Sequence, residues 1–147
     1  MLDEFVSEEL QKDYEVAEIP QDKIERVIQA LLRLRKKYDD EIHKEELKVY
    51  EELAESLFEL RVEKVIEGVE AKGFDKEALS IISKIKQFYV GYLTGRYYTS
   101  KGRVLCKVNK KVIIDDVQLS PGDVVILPLS KVLALITSDY ITPIEVG

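Results

Sequence analysis

The stretch ALSIISKIKQFYVGYLTGRYYTSKGRVLCKVNKKVII, Ala78–Ile114, changes its grammar part-way along and so decides how the chain divides. Up to about Tyr98 the apolar residues recur at intervals of three and four, the period of a helix face; after Gly102 they come in short β-branched runs, as in strands. The same stretch holds eight Lys or Arg residues and no Asp or Glu. Outward from it the charge reverses. Residues 1–77 carry 23 acids against 13 bases, net −10, and residues 115–147 carry five acids against one base, net −4. Phe88, Tyr89, Tyr92, Tyr97 and Tyr98 lie within the basic segment. A junction rich in Tyr and Arg has the composition of places where proteins meet.

Upstream, the apolar spacing predicts four helices. Leu2, Phe5, Val6 and Leu10 mark one side of a short helix within residues 2–14, and Pro20 ends that pattern. Asp22 followed by Glu25 reads as a capping box that opens a second helix, whose stripe of Ile24, Val27, Ile28, Leu31, Tyr38 and Ile42 continues to about residue 42. A long third helix is expected from about Lys44 to Lys72, with apolar residues on more than one face, so it needs several neighbours. Gly73 suits the left-handed residue that ends it, and Asp75 suits an N-cap for the fourth helix. That helix is expected to bury Ala78, Ile81, Ile82, Ile85, Tyr89, Tyr92 and Leu93, and to fade near Gly95.

Downstream, Val104, Cys106 and Val108 alternate with Arg103, Leu105 and Lys107, and Asn109-Lys110 predicts a hairpin turn into Val112-Ile113-Ile114. Ser120-Pro121-Gly122-Asp123 reads as a turn before the strand Val124–Leu127. Ser130 is expected to cap a short helix, and Ile141–Val146 to form a last strand. The fold class is therefore α+β: a mainly helical N-terminal bundle, then a small β-rich C-terminal domain. The expected boundaries are a helical domain over residues 1–94, a linker over 95–102 and a β-rich domain over 103–147. The last is small enough to be marginal alone.

Composition narrows the function. With 46% apolar residues the chain is no disordered polymer, and the overall charge of −6 argues against wholesale nucleic-acid binding while leaving a local basic patch open. The Glu- and Lys-rich charge is compatible with a thermophilic source. A single cysteine and an acidic start, Met1-Leu2-Asp3-Glu4, fit a reducing cytoplasmic setting without a signal peptide, and no membrane span is expected. His43 is the only histidine and sits on a charged surface as a solvated or capping residue; Cys106 reads as a small core residue. Asp115-Asp116 with Asp123 reads as solvated turn carboxylates in preference to a metal site. No catalytic, metal or cofactor constellation emerges, and the chain is expected not to be an enzyme. The basic aromatic stretch keeps three readings: core aromatics with solvated lysines, a subunit interface facing an acidic partner, or a weak DNA contact.

Several strings together resemble GINS, the accessory complex of the replicative helicase. Tyr50-Glu51-Glu52-Leu53 through Phe58-Glu59-Leu60-Arg61 and Lys64 is similar to the central helix of its helical A domain. Ile85-Lys86-Gln87-Phe88-Tyr89 through Tyr92-Leu93 and Arg96 is similar to the helix that leads to its linker. Gly102-Arg103-Val104-Leu105 and Leu119–Pro128 resemble its small B domain. The A-before-B order and short length resemble one of the two archaeal subunits. Ile19-Pro20-Gln21-Asp22-Lys23-Ile24 departs from the family's commoner Pro-x-Asp-Phe-Tyr.

The resemblance implies a cytoplasmic, nucleoid-associated subunit in an archaeon, packed through A domains with a second GINS-type subunit. The tetramer would hold two pairs of different subunits or four copies of one. It implies a non-catalytic scaffold, without cofactors, that links and activates the MCM helicase with a RecJ-like nuclease homologue. On that basis the expected subunit interface comprises Leu57, Phe58, Arg61, Phe88, Tyr89, Tyr92 and Arg96, and the expected docking rim on the B domain Arg103, Lys107, Lys110 and Lys111. The competing reading is a nucleic-acid-binding module with a helical dimerisation arm. A generic helical scaffold without replication partners is a third.

Overall fold

The computed structural model describes every residue from Met1 to Gly147. The element order is α1 (Leu2–Gln11), α2 (Gln21–Lys37), α3 (Glu41–Ile66), α4 (Lys76–Leu93), β1 (Thr99–Ser100), β2 (Arg103–Val108), β3 (Val112–Ile114), β4 (Val117–Leu119), β5 (Val124–Pro128), α5 (Leu129–Ile136) and β6 (Ile141–Pro143). The α+β class expected from the sequence is what forms: helices first, a small strand-rich part after. The chain divides into two compact units, Met1–Ile82 and Ser83–Gly147.

In the first unit α1 and α2 both pack on α3. Leu2, Phe5, Ala17, Ile19, Ile24, Val27 and Leu57 form one buried cluster, and Val16, Val65, Ala71 and Leu79 a second. Each large side chain so buried contributes about 1.5–3 kcal/mol of transfer free energy. Local chemistry departs from the sequence expectation at several ends. Helix α2 starts after Pro20, whose ring presets the entry conformation, and Asp22 makes no cap; Gln21 instead bonds to Glu25 at 2.8 Å. The expected continuation of α2 to Ile42 is interrupted. Tyr38 is extended (φ −126°, ψ 133°), and Asp40 caps α3 by accepting the His43 backbone N–H at 2.8 Å. Ile42, placed on the expected stripe, is 79% exposed. Helix α3 ends at Ile66, six residues before Lys72, and the left-handed residue that follows it is Gly68.

In the second unit β2 is central. It pairs antiparallel with β5 along one edge and with β1 and β6 along the other. The expected β2–β3 hairpin does not form. Strand β3 pairs with β4 instead, around Asp115-Asp116, both with positive φ (49° and 64°) as a two-residue primed turn requires. Helix α5 begins after Pro128 with no side-chain cap, so Ser130 lies inside it. The core joins Phe88 to Val104, Cys106, Val108, Leu127, Val132 and Ile141. Residues 95–102 are bonded into this unit: Leu105 N–H donates to Tyr98 O at 3.0 Å and Val146 N–H to Arg96 O at 2.8 Å.

Candidate functional site

The most concentrated polar chemistry lies inside the first unit. Arg61 is fully buried, on the inward line Leu57-Arg61-Val65 of α3. Its Nη1 donates to Glu9 Oε1 at 2.6 Å and to the carbonyl of Ala17 at 2.7 Å. Nη2 donates to Asp75 Oδ1 at 2.6 Å and to the carbonyl of Lys72 at 2.8 Å, while Nε donates to Asp75 Oδ2 at 2.9 Å. Glu9, also fully buried, accepts the Ala17 N–H at 3.0 Å and a bond from Lys64. Desolvation is the largest influence on the guanidinium and pulls its pKa down. The Asp75 and Glu9 carboxylates outweigh it, so the pKa rises and the charge is held. No buried side-chain polar atom is left unpaired. Around this centre the chain is tight: a Cβ on Gly73 (φ +99°) would lie 3.0 Å from the Ile19 backbone and 3.1 Å from Arg61. Asp75 immediately precedes α4, its carbonyl accepting the Leu79 N–H at 2.9 Å, while its carboxylate holds Arg61.

These contacts are structural. They tie α1, the 12–20 segment and the 67–75 loop to α3, and Arg61, expected at a subunit interface, is committed to them, while Leu57, expected there too, is buried in the apolar cluster with Phe5 and Ile24. Phe58, next in sequence, is 55% exposed, as is Val49 on the same helix at 54%.

On α4 the buried positions are Leu79, Phe88 and Gly91; of the expected inward stripe, Ile82 and Tyr92 pack against buried clusters and the rest faces out. Ile81, Ile85, Tyr89 and Leu93, four residues apart, are 38%, 41%, 64% and 64% exposed. Phe88 takes the inward place in the second unit because it stacks on Tyr97 at 5.6 Å, an approach that Gly91 permits: a Cβ there would lie 2.7 Å from the Tyr97 ring. Tyr92 is half-buried at 6.0 Å from Phe88, and Arg96 is exposed.

The basic residues separate by role. Lys84 pairs with Asp139 at 3.1 Å, and Lys110 lies over the Tyr140 ring at 5.6 Å. Arg103 and Lys107 stand exposed on one face of β2, and Lys111 is exposed before β3. None of these last three takes part in an ion pair within the chain.

The reactive residue types are committed elsewhere. His43 Nδ1 sits 2.7 Å from Asp40 Oδ1 and its ring stacks on Tyr38 at 3.8 Å, so the cap of α3 is Asp40 and His43 is its partner. The Asp40 carboxyl is held below its usual range by the His43 backbone N–H first and the imidazole second. Burial pushes the Cys106 thiol up to about 11, so it stays protonated at neutral pH. Asp115 pairs with Lys131. No group of three or more His, Cys, Asp or Glu residues is placed to hold a metal ion, and no helix is long and apolar enough to cross a membrane.

Comparison with known proteins assigns both parts of the chain. The family model for the N-terminal domain of the GINS complex Gins15 subunit matches residues 1–75, and the model for that subunit's C-terminal domain matches residues 95–145. No curated protein matches the chain.

Proposed function

The chain belongs to the Gins15 family of GINS complex subunits, a component of DNA replication, and from that premise we propose that it is a non-catalytic intracellular scaffold. In this reading it assembles with a second GINS-type subunit through exposed helical faces. The assembly then links the MCM helicase to a RecJ-like partner. The observation that carries it is the outward stripe of α4: Ile85, Tyr89 and Leu93 have helical spacing, belong to the second unit, and stay 41–64% exposed. Large apolar side chains aligned on one exposed face are what a subunit interface buries. Phe58 and Val49 are the corresponding exposed residues of the first unit.

With Leu57, Arg61 and Phe88 inside their own units, the proposed interface rests on Phe58 and Tyr89, with Tyr92 and Arg96 at its margin. Arg103, Lys107, Lys110 and Lys111 are proposed to orient docking through the β-rich part. The mechanism is linkage. A subunit that binds one state of the helicase assembly more tightly than another populates that state, and does so only by its differential affinity. Cys106 is buried and His43 is held between the Asp40 carboxylate and the Tyr38 ring, an arrangement compatible with a scaffold.

The test is a reconstitution. Tagged chain with its partner subunit should retain the MCM helicase and the RecJ-like protein in moderate salt and raise the helicase's unwinding rate. Retention of neither would remove the scaffold reading. Tight, steeply salt-dependent binding of single-stranded DNA by the lone chain would favour the nucleic-acid module, whose one supporting observation is the unpaired Arg103, Lys107 and Lys111.

A further inference from the structure

The second unit has an open sheet edge beside a basic apolar face. Strand β5 is paired on one side only, with β2. Its register places Val104 opposite Leu127 and Cys106 opposite Val125, with Leu129 N–H donating to Gly102 O at 3.1 Å and Val108 N–H to Asp123 O at 2.8 Å. Alternation in an antiparallel ladder then turns the N–H and C=O groups of Val124 and Ile126 away from β2, to the free edge. Pro128 has no N–H and closes the edge at one end.

The outer face next to this edge is built by direct cross-strand pairs: Arg103 with Pro128, Leu105 with Ile126, and Lys107 with Val124. Val124 is 57% and Ile126 49% exposed. The result is an apolar strip with a cation at each end. No Asp or Glu lies on β2 or β5, and neither Arg103 nor Lys107 has a carboxylate partner. The unit as a whole carries nine bases against five acids, net +4.

We propose that this edge takes up an extended peptide segment of a partner protein, with an acidic residue two positions to either side of an apolar one (acidic-x-apolar-x-acidic, so that all three share a face), as an added antiparallel or parallel strand on β5. The backbone groups of Val124 and Ile126 supply the ladder bonds. Leu105 and Ile126 receive the apolar side chains, and Arg103 and Lys107 receive the carboxylates and so fix register. The free edge accommodates a strand of about five residues at ~3.3 Å each. The proposal rests on reading the second unit as the docking part of a GINS subunit, and it names the kind of segment that docks there.

The test is a random-peptide selection on the full chain, followed by titration of the enriched peptides with amide exchange as readout. Enriched peptides should carry acidic residues two positions to either side of an apolar one and slow exchange at Val124 and Ile126. They should lose about tenfold or more in affinity against the double variant Arg103→Glu, Lys107→Glu. Methylating alternate backbone nitrogens of the same peptides should abolish binding. Ile126→Thr, which keeps a strand-forming residue, should weaken binding with exchange elsewhere unchanged, so that a folding defect in the double variant would not leave the question open. Enrichment of peptides without acids, protection outside β5, or no enrichment would overturn the proposal. So would tighter binding of a single-stranded oligonucleotide at the same residues, or self-association of the chain through this edge. If the chain assembles with its partner subunit yet fails here, only this inference falls; a chain that does not assemble defeats the broader reading.

Discussion

The two units are stabilised from opposite kinds of centre. The first is organised around a fully buried guanidinium held by Glu9 and Asp75, with small apolar clusters to either side. The second is organised around Phe88, Cys106 and a ring of branched aliphatics, with its ions on the surface. The difference teaches that an ionic centre and an apolar one fail differently. Removing one partner of a buried ion pair strands a charge in low dielectric, whereas trimming an apolar core leaves a void that its neighbours partly fill.

The largest effect should therefore come from Arg61→Ala, at about 4 kcal/mol, because two carboxylates and two carbonyls lose their donor at once. Amide exchange should accelerate across residues 1–82 with the second unit still protected. Equal acceleration in both would break the contrast. Replacing Glu9, Arg61 and Lys64 with Met and Asp75 with Asn together should recover part of the loss, since no side-chain charge of the cluster is then stranded. Phe88→Ala should come next, at about 3 kcal/mol and confined to residues 83–147.

Titration sharpens the contrast from the other side. The Cys106 thiol is raised from 9.0 to about 11 by burial. A group whose folded pKa is raised contributes stability that is complete below its unfolded pKa and lost as pH climbs through the folded one. The second unit should thus lose about 2–3 kcal/mol between pH ~9 and ~11, and Cys106→Ala should remove that alkaline slope in urea melts. The smallest effect is expected for Gly91→Ala, about 1–2 kcal/mol, because the added methyl must displace the Tyr97 ring but can do so by a side-chain shift. A calorimetric scan checks it.

The fold class is legible in the sequence because periodicity changes sharply across Ala78–Ile114, from helix to strand spacing. What is less legible turns on single residues. Tyr38 and Asp40 interrupt an apolar stripe whose periodicity runs on to Ile42, since a backbone break leaves no mark in the spacing of side chains. The inward face of α4 keeps only Ile82 and Tyr92 of the expected stripe, for a related reason. Ile81, Ile85 and Tyr89 satisfy the helical pattern as well as any core stripe does, and nothing in a pattern distinguishes burial in the chain's own core from an outward face. Strand pairing is similarly hidden, because Asn109-Lys110 and Asp115-Asp116 are both plausible turns and only tertiary register selects the second.

The ionic centre does leave a trace in the sequence. Arg61 stands between Leu57 and Val65 at steps of four, and Glu9 falls four after Phe5 on the buried side of α1. An Arg and a Glu on two facing apolar stripes are a pair in waiting. Of the expected interface set, the structure brings Leu57 and Arg61 into one interior and Phe88 into another, and leaves Phe58, Tyr89 and Arg96 exposed.

The most direct measurement is the mass of the chain co-expressed with its partner GINS subunit, by light scattering, for the native sequence and for Phe58→Ser with Tyr89→Ser. Both residues are more than half exposed, so the variant should keep the native melting temperature. The account predicts a tetramer for the native pair and collapse to smaller species for the variant, with folding intact. An unchanged tetramer, or a native chain that stays monomeric beside its partner, would contradict it.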